Sequence, residues 1–205
     1  MALDLLDVIF PSNCIVCGKK PKPICPSCRP SAEIGQIEGF SFPLIYAHAH
    51  QGATEQLISG YKDQQLTALE KTLASSLAEL FSTLDFGEVV AVVIPARSKR
   101  NFRKRGFDPA KSLARRALKM AGLAIPVINL AGVRARQDQR GLSRDARAKN
   151  VIGSMRLRLH LGGKVALFDD VLTTGSTMTE LARACEDAGV KVAFGCVLAQ
   201  RFTQS

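Results

Sequence analysis

The chain has no run approaching the ~20 consecutive apolar residues that span a membrane, although 46% of its 205 residues are hydrophobic. It has no G-x-x-x-x-G-K-[ST] segment, which excludes a Walker-type phosphate loop. The start, MALDLLDVIFPS, has no basic segment and no small-residue cleavage site, so it is not predicted to act as a secretory signal, and the expected location is cytoplasmic. Acids are scarce in the middle. From Arg97 to Arg158, 18 Lys/Arg stand against Asp108, Asp138 and Asp145, a balance of +15 in a chain whose net charge is +10. Such a block attracts polyanions, either a pyrophosphate ligand or nucleic acid. Aromatic residues are as scarce there: only Phe102 and Phe107 occur, a thin platform for stacking the bases of a single strand. No internal repeat is present.

What is there begins with cysteine. Four of the six cysteines form Cys14-x-x-Cys17 and Cys25-x-x-Cys28, joined by a short Pro/Gly-rich loop. Two such knuckles bring four thiolates within tetrahedral reach of one Zn²⁺, in a closed structural site that contributes folding free energy. A disulfide pair is disfavoured in a chain expected to stay in a reducing compartment. Cys185 and Cys196 fall in the last helix and strand patterns and read as small buried hydrophobes.

The pattern after the cysteines alternates strands and helices, which implies an α/β fold with a parallel sheet. Phe40, Phe42, Leu44 and Tyr46 alternate as in a strand, with His48 and His50 expected at surface strand positions. Helices are predicted over 54–61 and 66–81. Val89–Ile94 reads as a central strand buried on both faces, ended by Pro95. Asp108-Pro109 starts a helix that runs to about Ala121 and stops at Gly122. A strand over 125–130, a mobile basic loop over 134–150 and a pairing segment near 153–159 follow. A helix over 176–188 and a strand over 190–199 complete the chain.

Between these last elements lies VALFDDVLTTGST, residues 165–177. An apolar strand is predicted over 165–168, then the pair Asp169-Asp170, then a hydroxyl-rich turn, Thr173-Thr174-Gly175-Ser176-Thr177, at a helix start. Free N–H groups and the helix dipole there favour a phosphate. Gly175 permits close backbone approach, and the hydroxyls add donors. The carboxylates suit sugar hydroxyls or a metal. Phosphate donors beside diol acceptors describe a site for a ribose 5-phosphate. A plain helix start is the alternative, since Thr177 and Glu180 fit a capping box. In an open parallel sheet ligands bind beyond the carboxyl ends of strands, so the loop at Pro95, Ala96, Arg97 and Ser98 is expected to face the same crevice.

The 169–177 segment resembles the phosphoribosyl pyrophosphate (PRPP) loop of type I phosphoribosyltransferases. That resemblance assigns Asp169 and Asp170 to the ribose hydroxyls and to catalysis, and Thr173–Thr177 to the 5-phosphate. The whole chain resembles the ComF/GntX family, named for competence protein F. The resemblance is carried by the cysteine knuckles, Gly60-Tyr61-Lys62, Val93-Ile94-Pro95, Arg105-Gly106-Phe107-Asp108, the spacing of Gln139, Leu142, Arg147 and Asn150, and FDDVLTTGST. Two departures stand out: Pro95-Ala96-Arg97 where the family has P-V-P, and R-G-F-D where it has R-G-F-N. The resemblance implies a type I phosphoribosyltransferase fold, a Rossmann-like central parallel sheet flanked by helices, over 33–205, and a small N-terminal four-cysteine zinc-binding module, ribbon-like, over 1–32. It further implies PRPP as ligand with Mg²⁺, a pyrophosphate loop at Pro95–Ser98 assisted by Lys62, and a lid formed by 134–150. The implied process is import of single-stranded DNA alongside a helicase, with the chain acting either as a transferase or as a non-catalytic accessory protein.

Overall fold

The computed structural model describes residues 13–20, 23–133 and 151–202. The apolar lead-in LLDVIF, the basic loop 134–150 and the Gln139–Asn150 motif lie outside them. Strands are β1 (Gly35–Ile37), β2 (Leu44–Ala49), β3 (Val89–Ile94), β4 (Val127–Asn129), β5 (Ala131–Gly132), β6 (Met155–Arg156), β7 (Lys164–Leu172) and β8 (Val192–Gln200). Helices are α1 (Gly52–Lys62), α2 (Glu70–Ser82), α3 (Lys99–Arg105), α4 (Pro109–Met120) and α5 (Ser176–Glu186).

Six strands form one sheet in the order β1-β2-β8-β7-β3-β4, and β5 pairs separately with β6. Every neighbour pair in the large sheet is parallel except β1 with β2. The apolar runs of β3 and β7 follow from burial on both faces. Val92, Ile94, Ala166 and Phe168 join the core beneath α1, α2 and α4. Ala91, Val93, Val165 and Leu167 join the core beneath α5. Cys14, Ile24 and Cys25 pack into the first of these cores. A Cβ at Gly60 of α1 would stand 2.4 Å from Ile15 Cδ1, so the cysteine segment seats on α1 where only hydrogen fits.

Several expectations need correction. β7 continues to Leu172, so the acidic pair lies inside the strand, Asp169 opposite Val197 of β8, rather than after it. Only Leu44 and Tyr46 of the alternating run belong to a strand; Phe40 and Phe42 precede it. His48 is not at the surface: it is 2% exposed, with Nδ1 3.0 Å from the Ser31 carbonyl oxygen, and burial lowers its pKa. Thr67–Leu69 forms a 3₁₀ turn ahead of α2, following Gln65 in the left-handed region at φ 61. β4 covers only Val127–Asn129, because Pro126 has no N–H to offer a ladder.

Candidate functional site

The carboxyl ends of β3 and β7 and the last turn of α1 meet at a cleft of ≈ 170 Å³. Its walls include Lys62, Pro95, Ala96, Arg97, Ser98, Arg105, Asp169 and Asp170. Lys62 ends α1 with its Nζ 2.7 Å from Asp170 Oδ2. Burial opposes the charge on Lys62, but the Asp170 carboxylate outweighs it and holds the lysine above its ordinary pKa. Asp169 is fixed differently: its Oδ1 accepts the Asp170 backbone N–H at 2.9 Å. Tyr61, beside Lys62, is fully buried and locks the helix end. It donates its hydroxyl to Glu70 Oε2 at 3.1 Å and meets the Phe107 ring edge-on at 5.4 Å.

The loop after β3 is tied on three sides. Asn129 Nδ2 donates to the Pro95 carbonyl at 3.2 Å and to Asp108 Oδ2 at 2.9 Å. The Ala96 N–H points at Met155 Sδ, 3.3 Å away. Arg97 lies with its guanidinium carbon 3.9 Å from the centroid of the Phe102 ring. Ser98 accepts the Asn101 N–H and caps α3, and Gly106, at φ 75, ends it. Sequence reasoning missed this helix: Lys99–Arg105 holds one apolar residue, Phe102, so periodicity is silent, and only the capping Ser98 and the Gly106 stop mark it. It also missed Asn129, whose role depends on two distant partners. Asp108 does cap α4 as expected, accepting the Lys111 N–H at 3.3 Å.

The structure thus brings together Asp169, Asp170, Lys62 and Pro95–Ser98. Thr173–Thr177 are not among the walls of this cleft and follow directly on β7. Gly175 sits at φ 78, and a Cβ there would lie 2.8 Å from the Phe40 ring. Thr174 Oγ1 and Ser176 Oγ are 2.9 Å apart. Gly175 is the N-cap of α5, without a side-chain cap, and so the capping-box reading of Thr177 and Glu180 fails. Glu180 instead reaches across to Gly153 N and Met155 N, at 2.9 and 2.8 Å.

The second site is the cysteine cluster. The sulfur atoms of Cys14, Cys17, Cys25 and Cys28 all lie within 4.8 Å of one another. Cys17 Sγ and Cys25 Sγ are 3.7 Å apart. A tetrahedral centre with Zn–S bonds of about 2.3 Å has S···S edges of about 3.8 Å, so the four thiols fit Zn²⁺. Burial raises the Cys14 pKa, but the backbone amides of Cys17, Cys25 and Val16 bring it down to about 6. The Cys25 and Cys17 thiols push Cys28 up to about 12.

Comparison with known proteins bears out the class that the fold defines. The chain belongs to the phosphoribosyl transferase domain family, which matches residues 64–204. One of its relatives carries the name for which the family suggested by the motif order is named. It is 36% identical over 93 residues to DNA utilization protein YhgH of Salmonella typhi, covering 45% of this chain and 40% of that protein. It is 31% identical over 147 residues to Competence protein F of Haemophilus influenzae, covering 66% of this chain and 62% of that protein. The matches therefore span less than two thirds of either relative. Among solved structures, a phosphoribosyltransferase from Corynebacterium diphtheriae matches with a TM-score of 0.43 and 18% identity, over 66% of this chain and 64% of that one. No helix among the described residues is long and apolar enough to cross a membrane.

Proposed function

We propose that the chain binds PRPP and transfers its phosphoribosyl group, with Asp169 and Asp170 holding the ribose hydroxyls. The observation that carries this is the meeting of the acidic pair, Lys62 and Pro95–Ser98 in one cleft at the strand ends of a phosphoribosyl transferase domain. Leaving pyrophosphate gathers negative charge while the ribose ring becomes positive, so catalysis is mostly positioning and charge stabilisation. Arg97 and Lys62 supply the positive charge for pyrophosphate. The N–H groups of Ser176 and Thr177, which open α5 and have no intrahelical acceptor, take the 5-phosphate together with the hydroxyls of Thr173, Thr174, Ser176 and Thr177. Lys62 orients the Asp170 carboxylate by holding one oxygen, and the other accepts from a hydroxyl. Two carboxylates at one strand end are the hard oxygen donors that suit Mg²⁺. Asp169 and Asp170 would hold it through water, and the ion would supply charge neutralisation for the pyrophosphate oxygens.

Residues 1–32 form a structural zinc module on this reading, with 33–205 as the transferase domain. The names of the relatives support a role in DNA uptake, and the basic middle supports contact with single-stranded DNA; on this reading the chain acts in the cytoplasm. PRPP calorimetry with Mg²⁺ on Asp169→Asn/Asp170→Asn tests the site: at least a tenfold loss of affinity is expected, and unchanged binding rejects the assignment. Metal analysis is expected to find one zinc per chain, lost with Cys14→Ser. Folded protein purified without metal rejects the zinc reading.

A further inference from the structure

A second, larger cleft of ≈ 1180 Å³ adjoins the first and shares Arg97, Phe102, Phe107 and Asp108 with it. One wall is α4, whose exposure alternates in pairs. Leu113, Ala114, Ala117 and Leu118 are buried, while Arg115, Arg116, Lys119 and Met120 are exposed. Lys111, Arg115 and Lys119 recur every four residues along this wall, about 6 Å apart at the helical rise of 1.5 Å per residue. Among the described residues none of the three forms an ion pair. The two acids of the cleft are otherwise engaged. Glu70 accepts from Tyr61, Ser112 and Arg116. Asp108 accepts the Lys111 N–H and the Asn129 side chain. Among the described residues the row of cations therefore has no carboxylate partner in the cleft. At the boundary with the first cleft the exposed Arg97 guanidinium lies on Phe102, presenting one flat cationic plate. Such a plate stacks a heteroaromatic ring.

The geometry points to a second binding site for a nucleotide bearing more than one phosphate, its base on the Arg97–Phe102 plate and its phosphates along Lys111, Arg115 and Lys119. The plate offers a stacking face for one base and the three cations offer contacts for the phosphates attached to it, whether the several phosphates of a free nucleoside polyphosphate or the successive backbone phosphates at the end of a nucleic-acid strand. The inference rests on the PRPP reading only through Arg97, which borders both clefts; the α4 row belongs to the larger cleft alone.

Titration of the full chain with ATP, adenosine, tripolyphosphate and a single-stranded oligonucleotide of about eight residues, each with and without saturating PRPP and Mg²⁺, tests it. ATP is expected to bind with PRPP present, with adenosine and tripolyphosphate each at least tenfold weaker. Lys111→Gln/Arg115→Gln/Lys119→Gln is expected to weaken ATP at least tenfold while PRPP affinity changes less than twofold. Arg97→Lys, which keeps charge but removes the plate, is expected to weaken ATP and leave tripolyphosphate unchanged. An oligonucleotide that binds more tightly than ATP, with affinity falling steeply as salt rises, identifies a strand as the source; the reverse order identifies a free nucleotide. ATP binding that survives the triple substitution, equals that of tripolyphosphate, or vanishes when PRPP saturates overturns the second site. PRPP binding measured alone reports on the first site, so the two readings fail separately.

Discussion

Two carboxylates ten residues apart in the β7–α5 unit, Asp170 and Glu180, each hold a cation, and the two pairs are built oppositely. Both have a closest N···O distance of 2.7 Å, Lys62 to Asp170 and Arg183 to Glu180. The Glu180 side chain is 0% exposed, and each of its oxygens takes two hydrogen bonds. Oε2 accepts from Gly153 N and Arg183 Nε, and Oε1 from Met155 N and Arg183 NH2. Burial would raise its pKa, but Arg183 and the two amides hold it below the ordinary value. Nothing is left over for a ligand. The Asp170 carboxylate has Lys62 on one oxygen and opens on the cleft between β3 and β7. A saturated buried carboxylate joins pieces of structure, whereas a partly engaged one at a strand end can accept from a substrate hydroxyl. Burial and charge alone do not separate these roles; the count of bonds on each oxygen does.

The sharpest way to break this comparison is to remove the saturated partner. Glu180→Ala orphans two backbone N–H groups and takes from Arg183 one of its two carboxylate partners, Asp187 remaining, and the expected loss is about 3 kcal/mol of stability. Denaturant titration should show a lower midpoint at unchanged slope. Glu180 also joins α5 to Met155 of β6, so the damage falls on the packing of α5 against β6. PRPP affinity of the protein that remains folded should change by less than about threefold, as for a site held at a distance. The same carboxylate predicts a pH dependence. Its folded pKa is lowered, so its contribution is fully present above the ordinary value of 4.5 and is lost as pH falls through the folded pKa. The stability gap between the native chain and Glu180→Gln should therefore narrow on acidification below about pH 4.5. A gap that stays constant from pH 7 to pH 3 would remove the carboxylate's charge from the explanation.

Lys62→Met inverts the balance. Asp170 loses its partner but borders the cleft, and the expected stability loss is smaller than that of Glu180→Ala. Binding should suffer more: a tenfold or greater loss of PRPP affinity, about 1.4 kcal/mol, measured by calorimetry. A variant that loses stability like Glu180→Ala yet binds PRPP as well as the native chain would erase the distinction between the two pairs.

How much of this was legible depends on how far each residue's partners lie along the chain. Val89–Ile94 reads as a buried strand because both its faces are covered, and its limits agree with the structure. The cysteine knuckles are local spacings, and their four sulfurs do converge. Asp108 as a cap and Gly122 as a helix stop, at φ 73, are equally local. The acidic pair was found, but its place inside β7 was not, since two aspartates look like the end of a strand until β8 supplies a parallel partner. The bonds from Glu180 to Gly153 and Met155 span 27 and 25 residues and leave no trace in spacing. His48 was misplaced for a related reason: its burial follows from the packing around β2, which two alternating histidines do not reveal.

The smallest expected effect belongs to a third pair that serves as the baseline. Lys164, the first residue of β7, lies against Glu88, and the two side chains are 44% and 75% exposed. The glutamate raises the lysine's pKa, as Asp170 does for Lys62, so the direction of a pKa shift is shared by a surface pair and a pair lining a cleft. What differs is solvent. Water screens the exposed pair and competes for both partners, so Lys164→Met should leave stability almost unchanged. Added salt should make little difference, and PRPP affinity should not move, because Lys164 lies at the opposite end of β7 from Asp170. Measured beside Lys62→Met, it tests whether the loss of PRPP binding comes from the position of the lysine in the cleft. If both substitutions weaken binding equally, the general loss of positive charge is responsible, and the contact between Lys62 and Asp170 has no special part in holding the ligand.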